Sequence, residues 1–312
     1  MSVSMRLVAF APATSSTPPF DQGWFLQVLG EVEGLQLTNG KSDYMQECAV
    51  AGELSGPAYW VYTADAEYSA GEIDGLRQEV AALDTLCERG YHVNFVPCSL
   101  TGSEKKLLVM DVDSTLIGQE VIDELAVAAG RGADVAAVTE RAMRGELDFE
   151  QSLRERVCAL AGLSGDVIAQ VAGSVKFSAG AHELVSLFLE AGHAVCVVSG
   201  GFMQVLAPLA GELSLTRYRA NRLEVDDGAL TGKVTGQVVT AEVKRESLLE
   251  WAQEFGVDLS QVLAVGDGAN DILMLDQAEL GVAYCAKEAL RKVADAQVPF
   301  PRLDAVRHFV GL

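Results

Sequence analysis

The sequence predicts an α/β fold: a Rossmann-like, doubly wound parallel sheet with an inserted helical cap, preceded by a smaller α+β unit of ferredoxin-like order. Three observations predict it. Short apolar runs ending in polar residues (LLVMD, HAVCVVSGG, QVLAVGDGAND, LGVAYC) alternate with helical stretches from residue 107 onward. Such runs read as strands buried on both faces of a parallel sheet. Between the first two lies a strongly helical stretch, about 117–178, with no convincing strand and too long for a simple crossover. The first 98 residues read differently, as alternating short strands and amphipathic helices.

In chain order, Arg6–Ala11 reads as a strand and Gly23–Val32 as a helix. Weaker strands follow at Gln36–Asp43 and Ala58–Thr63. Leu76, Val80, Leu83 and Leu86 then recur at spacings of three and four, predicting one long helix over Ile73–Arg89. Tyr91–Pro97 closes the unit, giving βαββαβ. SLTGSEKK (99–106) reads as a polar linker, and 107–312 as the larger domain. Inside that domain, LEVDDGALTGKVTG (223–236) alternates around Asp227-Gly228 and reads as a β-hairpin.

Composition narrows the chemistry. Apolar residues make up 49% of 312 residues, enough for a sizeable core. No run approaches the ~20 uncharged apolar residues of a membrane span. The N-terminal apolar run is too short for a secretory signal, so a soluble protein is expected. The formal net charge of -21 argues against nucleic acid as a partner. An acidic chain that handles an anionic substrate must build a local cationic site. Six cysteines without CxxC or zinc-like spacing read as buried free thiols in a reducing cytoplasm. The four histidines are isolated, and none is assigned a catalytic role.

Ligands of such sheets bind beyond the carboxyl ends of the strands, where the polar clusters fall. In DVDST, Asp111 and Asp113 are two apart at a strand tip and point to one side. Two carboxylates that close require a cation or a shared proton. Both suit phosphoryl transfer, with one carboxylate attacking and the other donating a proton. Taken alone, the motif reads equally as a turn. The glycines of VVSGGF let backbone N–H groups approach an anion, and Ser199 adds a donor, though Gly-Gly after a strand is also an ordinary loop. In GDGANDI, Asp267 and Asp271 offer the hard oxygen ligands that Mg²⁺ takes, and Asn270 can orient neighbours; an Asx-rich helix cap reads the same way.

Two cations sit on apolar helix stripes. Lys244 shares its stripe with Leu248, Trp251 and Phe255 near a helix N-terminus, a poor place for a cation unless an anion is bound. Arg156 shares a face with Phe149, Leu153 and Leu160, which demands a partner or a route to water. Arg154, on another face, reads as solvated. Glu120 lies near the start of the first cap helix (Gln119–Ala129), where an acid is favourable in any case.

The ordered set (DVDST, a helical insertion, SGG, a helix-borne Lys, GDGAND) closely resembles the haloacid dehalogenase superfamily of aspartyl-phosphate phosphotransferases over about residues 107–297. The segments EVIDELA, TERAMRGELDFEQSLRERV and GDGANDILML look more narrowly like its phosphoserine phosphatases. The resemblance implies Asp111 as nucleophile and Asp113 as general acid and then base. It implies Mg²⁺ held by Asp111, Asp267 and the main-chain carbonyl of Asp113. Ser199, Gly200 and Lys244 would grip phosphate, with Asn270 supporting that loop. Glu120 would meet the substrate ammonium and Arg156 its carboxylate, while Met143 and Phe149 close the cap. The expected substrate is O-phospho-L-serine and the expected location cytoplasmic. Another small phosphomonoester, such as phosphohomoserine or phosphothreonine, is the alternative. A phosphate-storing receiver is disfavoured by the large cap, and a vestigial sensor by the complete set of Asp111, Asp113, Lys244 and Asp267. Residues 1–98 resemble ACT-type amino-acid-binding domains, which raises a homodimer and regulation by serine as questions for experiment.

Overall fold

The structure is a computed structural model that describes residues 2–13 and 20–312, the side chains of Cys87 and Met143 excepted. The first sheet consists of β1 (Val3–Pro12), β2 (Leu35–Met45), β3 (Tyr59–Tyr68) and β4 (His92–Pro97), antiparallel throughout in the order β2-β3-β1-β4. This is the ferredoxin-like order that βαββαβ predicts. Helices Gln22–Leu29 and Ile73–Ala81 bury Phe25, Leu29, Leu76 and Val80 against Leu7, Ala9, Tyr62 and Phe95 of the sheet. The expected single helix over Ile73–Arg89 is corrected: it stops at Ala81 and resumes at Asp84–Glu88. Asp84 favours a helix start over an interior, yet Leu86 stays buried. The apolar stripe reported burial, not backbone continuity.

The second sheet comprises β5 (Leu107–Met110), β6 (Ala194–Phe202), β7 (Arg217–Asp226), β8 (Ala229–Thr235), β9 (Val262–Gly266), β10 (Leu280–Tyr284) and β11 (Ala296–Val298). Its order is β11-β10-β9-β5-β6-β7-β8, parallel except for β8. Alternate residues of β5 fall into the apolar clusters on opposite faces, Leu108 and Met110 into one, Leu107 and Val109 into the other. That is why LLVM is apolar without alternation. The hairpin turns at Asp227 (φ 46°) and Gly228 (φ 76°), left-handed at both positions as a tight turn requires. Its first strand starts earlier than expected, because Arg217–Asn221 pairs with β6 before the rest pairs with β8.

The cap helices are Val121–Ala128, Gly132–Met143, Phe149–Cys158 and Asp166–Ala172. The cap leaves and rejoins the core by adjacent segments bound to each other: Gly118 N–H donates to Lys176 O (3.1 Å) and Ser178 N–H to Leu116 O (2.9 Å). Among the described residues no helix is long and apolar enough to cross a membrane.

The cysteine reading is corrected. The cysteines whose side chains are described are free, but only Cys196 is buried; Cys48 is half-buried, and Cys98, Cys158 and Cys285 are exposed. Each exposed one ends or follows an element, where the chain has reached the rim. Cys87 lies outside the described side chains. The polar stretch 99–106 is exposed over 101–105 and anchored at two points: Leu100 is buried, and so is Lys106, whose ammonium donates to Gly102 O (2.6 Å) and Glu104 O (3.0 Å).

Candidate active site

Three strand ends converge because β5 lies between β6 and β9. Met110 pairs with Val197 on one side and Val265 on the other, so the residues that follow these strands meet beyond their carboxyl ends. Helices cover both faces there, and the strand order reverses direction at β5, the expected place for a ligand.

After β5 the chain makes a tight turn over Val112–Leu116, with Ser114 in the left-handed region at φ 57°. Asp111 N–H donates to Val265 O (2.9 Å), and Asp111 Oδ1 accepts the N–H of Val112 (2.7 Å). Lys244, 1% exposed, reaches this point from helix Ala241–Phe255. Its Nζ lies 2.8 Å from Asp111 Oδ1 and 2.7 Å from Asp271 Oδ1. Burial opposes the ammonium, but Asp111 and Asp271 outweigh it and raise its pKa. Burial, followed by the charge of Asp271, pushes the Asp111 carboxyl up against the pull of Lys244.

Asp271, which the sequence offers beside Asp267 as a hard oxygen ligand, spends its oxygens on protein donors. Its second oxygen accepts the N–H groups of Asp267 (3.2 Å) and Gly268 (3.1 Å), so it shapes the GDGAND loop and aims Lys244. Ligand oxygens of Asp111, Asp267 and Asp271 lie within 4.8 Å of one another, all three residues buried. Asp271 is saturated by its donors, whereas Asp111 and Asp267 also face the cavity. Buried carboxylates this close call for a cation, and an oxygen-only donor set suits a hard divalent ion. Burial raises the Asp267 carboxyl, opposed by Lys287, whose Nζ lies 3.3 Å from Asp267 Oδ2. Lys287 lines the cavity too, and no sequence pattern marks it.

Asp113 stands beside Asp111. Its Oδ2 accepts the N–H of Val121 at 3.3 Å, while Oδ1 is buried with no partner. Burial, then the charge of Glu120, pushes its carboxyl up to about 7. Ser199 shares a small void with Asp113 and accepts the N–H of Gly201 (2.7 Å). A Cβ on Gly201 would meet Asp113 Oδ2 at 3.1 Å and Ser199 Oγ at 3.0 Å, so glycine is what lets this backbone lie against the carboxylates. Asn221, also unforeseen, holds the loop by donating to Gly200 O (2.8 Å) and accepting from Val239 N–H (2.8 Å).

A cavity of about 370 Å³ spans core and cap. Asp111, Asp113, Asp267, Asn270 and Gly200 line its floor, and Glu120, Ile122, Phe149, Leu153 and Arg156 its cap side. Glu120 precedes helix Val121–Ala128 but makes no capping bond; its carboxylate accepts the Ser114 hydroxyl (2.9 Å). Helix Phe149–Cys158 starts with a capping box between Asp148 and Gln151, which sets Phe149 against Gly200, 3.0 Å from where a Cβ would stand. Arg156 donates only to Ser152 O, a long 3.4 Å, and no carboxylate among the described residues pairs with it. Burial lowers its pKa, with Asp123, Glu120 and Asp113 opposing. Arg154 points elsewhere, paired with Glu150. Ser199 and Lys244 sit behind the cavity wall rather than on it. Met143 ends helix Gly132–Met143, and its side chain lies outside those described. No histidine lines the cavity.

The model of the family described as haloacid dehalogenase-like hydrolase matches residues 108–276. Phosphoserine phosphatase of Streptococcus thermophilus is 51% identical over 202 residues, covering 65% of this chain and 94% of that protein. Phosphoserine phosphatase SerB2 of Mycobacterium tuberculosis is 45% identical over 234 residues, 75% of this chain, which spans only 57% of that longer protein. A solved structure described as a phospho-aspartyl intermediate analogue of phosphoserine phosphatase superposes with a TM-score of 0.63 at 40% identity, over 66% of this chain and 99% of that one.

Proposed function

This chain belongs to the haloacid dehalogenase-like hydrolases, and we propose that it hydrolyses O-phospho-L-serine to L-serine and phosphate through an aspartyl-phosphate, the last step of serine biosynthesis. One observation carries the choice of substrate. The cavity that holds Asp111 and Asp113 on its floor holds a carboxylate, Glu120, and an unpaired guanidinium, Arg156, on its cap side. That is the charge pattern of a phosphorylated zwitterion, and a planar guanidinium matches a carboxylate in two-point contact.

Asp111 attacks phosphorus, forming the aspartyl P–O bond as the bond to the serine oxygen breaks. Asp113, with its pKa near 7 and a free buried oxygen, is suited to deliver its proton to that departing oxygen. After serine leaves, Asp113 as carboxylate takes a proton from water, which attacks phosphorus and releases Asp111. Ser199, Gly200 and Lys244 would grip the phosphoryl oxygens, with Asn270 supporting that loop. Asp111, Asp267 and the carbonyl of Asp113 would hold Mg²⁺, which supplies charge neutralisation for the transferring group. Phe149, with Met143, closes the cap and excludes bulk water. Residues 1–98 are read as an ACT-like regulatory unit, supported by their sheet order. The free thiols support a cytoplasmic location.

The deciding experiment is phosphate release from L-phosphoserine with and without Mg²⁺. Rapid release only with the cation is expected, and no release under either condition would overturn the reading.

A further inference from the structure

The segment between β2 and β3 of the first unit leaves its own sheet and binds the point where the cap joins the core. Phe177 lies on the returning crossing segment. Its N–H donates to Gly52 O (3.0 Å) and its carbonyl accepts the N–H of Leu54 (2.8 Å). Phe177 is also bridged to Ile117 on the outgoing segment, so Glu53, Phe177 and Ile117 stand side by side as three short strands. Leu54 seals the outgoing side: a Cβ on Gly118 would fall 2.2 Å from Leu54 Cδ1.

Glu53 anchors the arm. Its side chain is 1% exposed, unusual for a carboxylate. One oxygen accepts the Gly180 N–H (2.8 Å), and the other accepts the His182 N–H (2.9 Å) and faces His182 Nδ1 (2.7 Å). These groups open helix Ala181–Glu190, directly after the crossing. Buried charge costs stability unless fully hydrogen-bonded; here the backbone donors come from the hinge side of the core, and Cys48 of the first unit adds a long thiol contact at 3.5 Å. Loose packing of two neighbouring domains would not place a charge there.

We infer that residues 52–54 brace the cap hinge, and that Glu53 and Leu54 are positioning residues that set how readily the cap closes over substrate. The brace pins Phe177 on both backbone groups and leaves rotation to the residues on the cap side of it. Whatever moves the first unit against the core is thereby transmitted to the cap. This rests on reading 117–178 as a cap that opens and closes during turnover.

The test uses full-length chain carrying Glu53→Ala, Glu53→Gln or Leu54→Ala. Hydrogen exchange is followed at 117–121 and 174–182, with 107–110 as internal control, alongside kcat and KM for phosphoserine. Glu53→Ala and Leu54→Ala are expected to speed hinge exchange about tenfold, with the control unchanged. They are expected to raise KM about fivefold with kcat within about twofold, because the closed state is less populated. Glu53→Gln, which keeps an acceptor for the N–H groups, should recover much of both effects. A lower melting temperature with unchanged hinge exchange would reduce the arm to a structural tie and overturn the inference. Faster exchange with unchanged KM would overturn it as well. If the unmodified chain releases no phosphate from phosphoserine, the functional reading fails while hinge exchange still decides the brace.

Discussion

The Lys244 ammonium lies 2.8 Å from Asp111 Oδ1, although one residue rides on a helix and the other ends a strand. Asp271 makes the same ammonium a bridge between two buried carboxylates. The charge that neutralises the proposed attacking group is thus built into the core. Replacing Lys244 with Met leaves both carboxylates buried and unpaired, at a cost of about 3 kcal/mol. Denaturant unfolding should show that loss, and turnover should fall with it.

Asp111→Asn removes the proposed nucleophile while keeping shape and an acceptor for Val112. Turnover should drop by about ten-thousand-fold or more. Radiolabel from phosphoserine should no longer be trapped on the protein. Substantial residual activity would place the nucleophile elsewhere.

Arg156→Ala tests carboxylate recognition. Two charge-assisted hydrogen bonds lost correspond to a fall of about a hundredfold in kcat/KM for phosphoserine. p-Nitrophenyl phosphate has no carboxylate and should change far less. Equal losses on the two substrates would remove Arg156 from that role.

The acidic cluster should make stability cation-dependent. Adding Mg²⁺ to chelator-treated protein should raise its melting temperature, because the ion binds only the folded site. Asp267→Asn should shrink that rise and increase the Mg²⁺ needed for activity. A melting temperature indifferent to Mg²⁺ would contradict the assigned ligands.

His308 predicts acid sensitivity away from the site. Its ring nitrogen lies 3.1 Å from the Tyr59 hydroxyl, joining the first sheet to the C-terminal segment. Burial, followed by the charges of Arg307, Arg6, Lys41 and Arg302, pushes its pKa down to about 3. The folded chain therefore keeps His308 neutral while the unfolded chain protonates it near 6.5. Its contribution is complete above that value and is lost progressively as pH falls toward 3. His308→Gln should flatten the decline of stability between about pH 6.5 and 4. An unchanged slope would refute it.

Much of this was legible in the sequence because it is local. The apolar runs of β5, β6, β9 and β10 marked a buried parallel sheet, and the polar residues ending three of them marked one rim. Arg156 and Lys244 stood out because a cation on an apolar stripe needs an explanation within one helix. Periodicity, by contrast, could not see the break at Ala82, since Leu86 is buried on either side of the question. Cysteine exposure depended on where each element ends, which residue spacing does not reveal.

What only the tertiary structure decided is whatever depends on partners distant in sequence. Asp271 reads equally as a metal ligand or a cap residue until Lys244 and the Asp267 and Gly268 amides are seen to occupy it. Asn221 and Lys287 carry no motif, and they matter only because β7 and the segment after β10 bring them to the rim. Glu53 and Leu54 lie in a stretch that suggested nothing, yet they close on the cap hinge. Residue types and short spacings specify which chemistry is possible. Strand order β9-β5-β6 and the docking of the first unit specify which side chains share one low-dielectric space, where a charge without a partner is costly and a paired one is fixed in place.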